Sequence, residues 1–288
     1  MAEKKIENIE LVEAHAHIGR DNGREVKNPC REVFEAIFKL YAVQGITNIR
    51  DGGDEQGMGI AAREVAKEMG IHFKTPIYAL SKTGGYGAFL GVQASSIKEI
   101  KKILSMLVQQ GADFIKVIQS GIVDFDVYGN ISEGGFLKKE LEYITAFAKD
   151  AGLPVMAHCN GVKNIEIAID AGVDSIEHGY FICDEQLYAM AEKSIAWTPT
   201  FSPLVNYRRT LGQSNPQAEI IKKTLLGHAE SLRRAVNLGA TVATGSDAGA
   251  PFVGHGSGAA DELMYFIEEG IASKDIARMT SEFKSRLM

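Results

Sequence analysis

Short runs rich in Val, Ile, Ala and Thr alternate along the chain with longer runs whose apolar residues recur at helical spacing. The short runs predict strands over 9–15, 46–51, 72–79, 113–119, 154–158, 174–178, 195–200 and 240–246. Helical patterns cover 31–43, 58–69, 96–110, 136–150, 161–170, 184–193, 216–238 and 259–269, and 273–288 reads as a terminal helix packed outside. One helix follows each strand. This alternation implies a parallel sheet, and eight βα units in a chain of 288 residues imply an α/β fold closed as a (β/α)8 TIM barrel. No linker or low-complexity stretch interrupts the pattern, so residues 1–288 read as a single domain.

The connections carry a second signal. Six of the seven helix-to-strand links place a glycine just before the next strand: Gly45, Gly70, Gly111, Gly152, Gly172 and Gly239. Glycine suits the left-handed residue that ends a helix. These links are short, whereas the strand-to-helix links 80–95, 120–135, 200–215 and 247–258 are long. The elaborated face is therefore the one at the strand C-termini, which carries the active site in this fold.

Composition narrows the class. Hydrophobic residues make up 45% of the chain, enough for a sizeable core, and no apolar run reaches the length of a membrane helix. The charged start MAEKKIENIE lacks the apolar stretch of a signal peptide. A net charge of −6 gives no support to a nucleic-acid or membrane partner. Cys30, Cys159 and Cys183 are odd in number and form no CxxC, which argues against a disulfide framework. The expectation is a cytoplasmic protein that acts on a small molecule, with homo-oligomerisation open.

The candidate chemistry lies at strand ends. His15 and His17 end the first strand, and residues two apart on a strand point to the same face. His158 closes the fifth strand in VMAHCN, His178 the sixth in SIEHG, and Asp247 the eighth in VATGSDAG. Four histidines and a carboxylate converging on one barrel mouth suit zinc, with iron, manganese or cobalt also served by such ligands. Lys116 sits inside the apolar strand FIKVI, where a bare ammonium is costly unless paired or neutralised. It reads as a nucleophile able to react with carbon dioxide, as a snorkelling or ion-paired lysine facing Asp247 or Glu177, or as a Schiff-base lysine.

The order HxH, strand-four Lys, strand-five His, strand-six His and strand-eight Asp resembles the amidohydrolase superfamily in its binuclear, carbamylated-lysine form. The stretches GADFIKVIQSG, AGVDSIEHG and GSDAGAPFVGHG are similar to the branch of imidazolonepropionase-like hydrolases and Xaa-Pro or Xaa-Arg dipeptidases. The resemblance covers roughly residues 10–280. It implies metal-dependent hydrolysis of an amide or other C–N bond in a cyclic amide, N-acyl amino acid or dipeptide. It further implies two divalent ions: His15, His17 and Asp247 on the buried one, His158 and His178 on the exposed one, and a carbamate on Lys116 bridging them. Asp247 is then the catalytic base and later acid. Deamination, or lactone or phosphotriester hydrolysis, on the same centre is the enzymatic alternative, and a metal-binding module without turnover the non-enzymatic one. The flanking β-sandwich that the family usually builds from both termini is expected to be missing, and the closing helices to be clipped.

His255, in the loop after strand eight, is a substrate contact on the same resemblance. Tyr86 and Arg208, with Arg209 beside it, belong to loops on that face, where an arginine would pair with a substrate carboxylate. Asp51 reads as a support for a ligand histidine or as a turn cap. His72, His228 and Cys159 read as structural.

Overall fold

The computed structural model describes residues 10–27, 29–212 and 214–288. In chain order the elements are β1 (Glu13–Ala16), β2 (Arg20–Asp21), β3 (Arg24–Glu25), α1 (Arg31–Ala42), β4 (Asn48–Asp51), α2 (Gly59–Glu68), β5 (His72–Lys74), β6 (Ala79–Lys82) and β7 (Gly91–Ala94). They continue with α3 (Ile97–Gln109), β8 (Ile115–Ile118), α4 (Lys138–Asp150), β9 (Val155–Cys159), α5 (Val162–Ala171), β10 (Ser175–His178), α6 (Asp184–Lys193) and β11 (Ala196–Thr198). Helices α7 (Ser202–Thr210), α8 (Pro216–Asn237), α9 (Ser257–Glu268) and α10 (Ser273–Leu287) complete the chain.

Local chemistry explains the helices. In α3, Ile100, Leu104 and Leu107 fall on one buried stripe, and the Ser96 side chain accepts from the Glu99 N–H at its start. In α8, Asn215 caps and Pro216 occupies the first turn, where its missing N–H costs nothing. The strands behave differently. Every residue of β1, β4, β8, β9 and β10 is buried, as in a parallel sheet covered on both faces.

The barrel forms from two runs of parallel strands, β1–β4–β5 and β6–β8–β9–β10–β11, with β7 appended beyond β6. One seam is crossed where the Asp113 N–H donates to the Thr75 carbonyl at 3.0 Å. The other is filled by residues 240–248: Val242 bridges Trp197, Ala248 bridges Ala16, and the Ala14 N–H reaches the Thr244 carbonyl at 3.0 Å. All six glycines in the short links have positive φ, from +70° to +78°.

Several expectations change. The strand predicted over 72–79 is broken after Lys74 by Pro76, which has no N–H to give a ladder, and by Ile77 at φ +69°. The strand that pairs with β8 is β6, which begins at the last residue of that prediction; β6 and β7 occupy much of the stretch 80–95 expected as a long link. The eighth strand is not regular, because the Glu13 carboxylate takes the Ser246 N–H at 2.8 Å and its hydroxyl at 2.6 Å, side-chain bonds that compete with a ladder. The loop 200–215 contains helix α7. The first strand was predicted from residue 9, which lies outside the described residues. Among the described residues no helix is long and apolar enough to cross a membrane, and no β-sandwich is present.

Candidate metal centre and its pocket

The upper end of the barrel opens into a cavity of about 610 Å³, and His15, His17, Lys116, His158, His178 and Asp247 all line it. The fold thus brings together the five residues predicted at strand ends and Lys116, predicted inside the fourth strand. Lys116 comes from within β8, and two of the others are held in a conformation that L residues seldom adopt: His178 at φ +66° and Asp247 at φ +59°. Such non-glycine strain costs on the order of 1–3 kcal/mol and persists where surrounding structure enforces it.

Hydrogen bonds fix which ring nitrogen of each histidine faces inward. His15 Nδ1 lies 3.0 Å from Glu177 Oε2, and His17 Nδ1 lies 3.1 Å from the Gly53 carbonyl. Both partners only accept, so both Nδ1 atoms carry the proton and both Nε2 atoms are bare lone pairs. Those two Nε2 atoms stand 3.3 Å apart, and Asp247 Oδ1 lies 3.6 Å and 3.3 Å from them. The ligand atoms of this trio all fall within 4.8 Å of one another. Three lone pairs that converge with no proton to share repel one another, and a cation between them removes the conflict.

The second pair is arranged in the same way. The Nε2 of His158 donates to the Gly121 carbonyl at 3.1 Å, so Nδ1 is its free nitrogen. His178 Nδ1 lies 2.6 Å from Thr200 Oγ1, which leaves Nε2 free. The two rings are 4.5 Å apart between centroids, and His178 is 5.0 Å from His15. Burial, and then the Lys116 charge, lower His15 to about 4 and His158 to about 3. Burial and the neighbouring histidines also push His178 well down. All three are therefore neutral imidazoles at neutral pH. Burial pushes Asp247 up, but its contacts with His17 and His15 and the charge of Lys116 outweigh it and hold the carboxyl below its ordinary value.

Lys116 is 1% exposed, and its Nζ has no hydrogen-bond partner. Among the described residues it forms no ion pair, so the expected alternative of pairing with Asp247 or Glu177 is not what the structure contains. Burial lowers its ammonium to about 8, which places a reactive free amine within reach of neutral pH. Glu177 instead spans His15 and Arg50, whose Nη2 donates to it at 2.7 Å. Burial alone would raise Glu177, yet Arg50, His15 and Lys116 hold it well below the carboxylate range.

Close packing supports the arrangement. A Cβ on Gly52 would stand 2.3 Å from His17 Cε1, so only glycine leaves that ring its place. Asp51 accepts from the Ile18 N–H at 3.0 Å and from Thr75 Oγ1 at 2.7 Å. Of its two expected roles, it fixes the chain that follows the HxH pair and bonds to no ligand histidine.

The expected substrate contacts divide. Tyr86 lines the cavity, with its ring 5.3 Å from that of His158. His255 does not line it; the side chain is buried, with Nε2 donating to the Arg20 carbonyl at 2.8 Å and Nδ1 accepting from the Tyr41 hydroxyl at 3.0 Å. Arg208 is exposed, outside the lining, and bonds the Ala218 carbonyl from within α7. His72 is exposed, His228 donates to the Pro199 carbonyl at 2.9 Å, and Cys159 is packed in the core, all as structural residues. Sequence reasoning missed Arg50 as a support and Thr200 as the partner of His178. Arg50 had a signal, since a charge inside the strand ITNIRD raises the same question as Lys116.

A sequence profile of the amidohydrolase family matches residues 11–284. Ochratoxinase from Aspergillus niger is 29% identical over 192 residues, which are 66% of this chain and 38% of ochratoxinase, so the match spans well under half of that relative. Among solved structures, an Xaa-Pro dipeptidase with bound methionine superposes with a TM-score of 0.77 at 24% identity over 97% of this chain and 75% of its own. The A. niger ochratoxinase structure gives 0.77 at 21% identity, covering 95% and 70%. Phenylurea hydrolase B gives 0.71 at 16% identity, covering 95% and 75%. At these identities the superpositions speak for the barrel fold.

Proposed function

The chain belongs to the amidohydrolase family, and from that premise we propose that it is a metal-dependent hydrolase of an amide or related C–N bond. The observation that carries this reading is the meeting of His15 Nε2, His17 Nε2 and Asp247 Oδ1 within 4.8 Å of one another, with both imidazole protons committed elsewhere. Neutral nitrogen donors and one carboxylate are a set that zinc, and also iron or manganese, accept. His15, His17 and Asp247 would hold one divalent ion, His158 and His178 a second, and Lys116 would bridge them as a carbamate. In that carbamylation the free amine forms an N–C bond to carbon dioxide and releases one proton. The metal centre would supply a water of lowered pKa and polarise the scissile carbonyl.

The chain's own residues supply the rest. Glu177, anchored by Arg50, orients His15, and the Gly53 carbonyl orients His17. Asp247 reaches the cavity and is ionised, so it takes a proton from the attacking water and returns it to the departing nitrogen. Activity toward amides among close superpositions, ochratoxinase and the Xaa-Pro dipeptidase, favours this bond class. The test is a panel of N-acyl amino acids, dipeptides, cyclic amides and lactones, followed by product analysis with added zinc or manganese and bicarbonate. Amide turnover that a chelator abolishes and metal restores is the expected result. Turnover confined to lactones, or indifferent to chelation, would overturn the assignment.

A further inference from the structure

We propose that the rim of this pocket holds an anion subsite at Arg20, and that the substrate joins a carboxylate to a bulky apolar group. The proposal deepens the hydrolase reading and rests on it for the identity of the scissile bond.

The cations that line the cavity among the described residues are Lys116 and Arg20. Lys116 lies at the floor with the histidines. Arg20 comes from the β2–β3 hairpin, and no carboxylate lies within ion-pair distance of it among the described residues. Its guanidinium is held without being neutralised: it donates to the Gly23 carbonyl, reaches the Phe89 carbonyl at 3.4 Å, and lies 4.8 Å over the centre of the Phe89 ring. Carbonyls and a ring face steer a cation but leave its charge for a ligand.

The backbone beneath it is fixed by the side chain that sequence reasoning took for a substrate contact. His255 Nε2 donates to the Arg20 carbonyl at 2.8 Å while Tyr41 donates to His255 Nδ1. The Gly23 N–H bonds the Gly249 carbonyl at 2.7 Å, and Asn22 Oδ1 accepts from the Phe252 N–H at 2.8 Å. An arginine set this firmly loses little freedom when it binds an anion.

The surrounding wall is apolar. Phe89, Val123, Phe125, Leu204, Tyr207 and Phe252 line the cavity. Tyr207 stacks on Phe252 with centroids 6.2 Å apart at 14°, and Phe125 lies 5.0 Å from Tyr207. Phe89 and Phe252 stay 38% and 48% exposed, so part of this apolar surface has no partner within the chain. One unneutralised guanidinium beside an aromatic wall matches a monoanion attached to a large apolar group, and a carboxylate offers the bidentate geometry that arginine favours.

The probes are N-benzoylphenylalanine, its neutral alcohol counterpart N-benzoylphenylalaninol, and N-acetylglycine, an acid without the apolar group. The acid should exceed the alcohol by about 10-fold in kcat/KM, as a charge-assisted pair allows, and exceed N-acetylglycine by about 100-fold, as burial of an aromatic group allows. Arg20→Gln should bring the first ratio to within about threefold of unity, chiefly through KM for the acid, and Arg20→Lys should retain part of it. In parallel, calorimetry compares binding of 3-phenylpropionate and 3-phenylpropionamide to wild-type protein and Arg20→Gln, with the acid favoured only by the wild type. Hydrolysis without any Arg20-dependent preference for the acid refutes the subsite and leaves the hydrolase reading standing. No hydrolysis of any probe, with an Arg20-dependent preference for the acid in calorimetry, supports the subsite and removes N-acyl amides from the substrates of the hydrolase reading.

Discussion

At the lower end of the barrel, Gly45, Gly70, Gly152, Gly172 and Gly239 have positive φ, and nothing lies within 4 Å of where a Cβ would stand. At the upper end the need is reversed. Gly52 has no positive φ, yet its Cβ would stand 2.3 Å from the His17 ring. The lower glycines serve backbone conformation and the upper one serves space. The same division runs through the charges. Lower and outer pairs such as Arg63–Asp113 and Lys138–Asp170 are partly or largely exposed and contribute little each, whereas the upper end buries three neutral histidines and an unpartnered amine. One end stabilises the barrel, and the other spends some of that stability on a preorganised centre.

The largest way to break this contrast is at Asp247. Asp247→Asn keeps the shape and removes the base, so turnover should fall by about 10²–10⁴-fold while the circular dichroism spectrum stays that of the wild type. Near-normal turnover would remove Asp247 from the chemistry. Lys116→Met comes next. It should abolish most activity and lower bound metal, yet leave the denaturation midpoint unchanged or raised, because it exchanges a buried unpartnered amine for an apolar chain. A marked loss of stability would instead reveal a structural lysine. Gly52→Ala must displace His17, and a shift of about 1 Å in a reacting geometry costs about 10²-fold in rate; kinetics beside a denaturation curve will show whether the damage stays local.

Much of this arrangement was legible in the sequence, for physical reasons. A polar residue at a strand C-terminus is announced by the apolar run before it, and so His15, His17, His158, His178 and Asp247 were placed at the barrel mouth, where they line one cavity. Lys116 stood out because an apolar strand has no ordinary use for an ammonium. The links before each strand were legible because only glycine suits their backbone. The walls were not. A loop side chain can turn either way, so His255 and Arg208 were expected in the pocket but pack elsewhere, while Arg20 at its rim gave no periodic signal. The break at Pro76 and Ile77 was hidden by the strand-like residues on both sides. The irregular eighth strand follows from a contact between Glu13 and Ser246 that lie far apart in sequence.

Smaller effects probe the shell. Burial raises Glu262 to about 8 from 4.5, against the opposing bonds from Ser202. A raised folded-state pKa means that this group's contribution is fully present below pH 4.5 and is lost as pH rises through about 8. Glu262→Gln should therefore flatten the stability profile and exceed the wild type at pH 9 by on the order of 1 kcal/mol or more, read from urea midpoints. A profile as steep as the wild type's would show that another group titrates. At the lower end, Gly172→Ala should cost about 1 kcal/mol, the penalty for a left-handed non-glycine residue, with kcat/KM unchanged. A large loss of activity there would erase the distinction between the two ends.

The central claim is that the upper end is a metal centre, and metal content per chain tests it most directly. The protein should be purified without chelator or a metal-binding tag, supplied with bicarbonate, and measured by elemental analysis. About two divalent ions per chain, falling when His15 and His17 are both replaced by Ala, is the result this account predicts. A value near zero that neither zinc nor manganese with bicarbonate restores would contradict it, because the converging lone pairs of His15, His17 and Asp247 would then have no cation to hold.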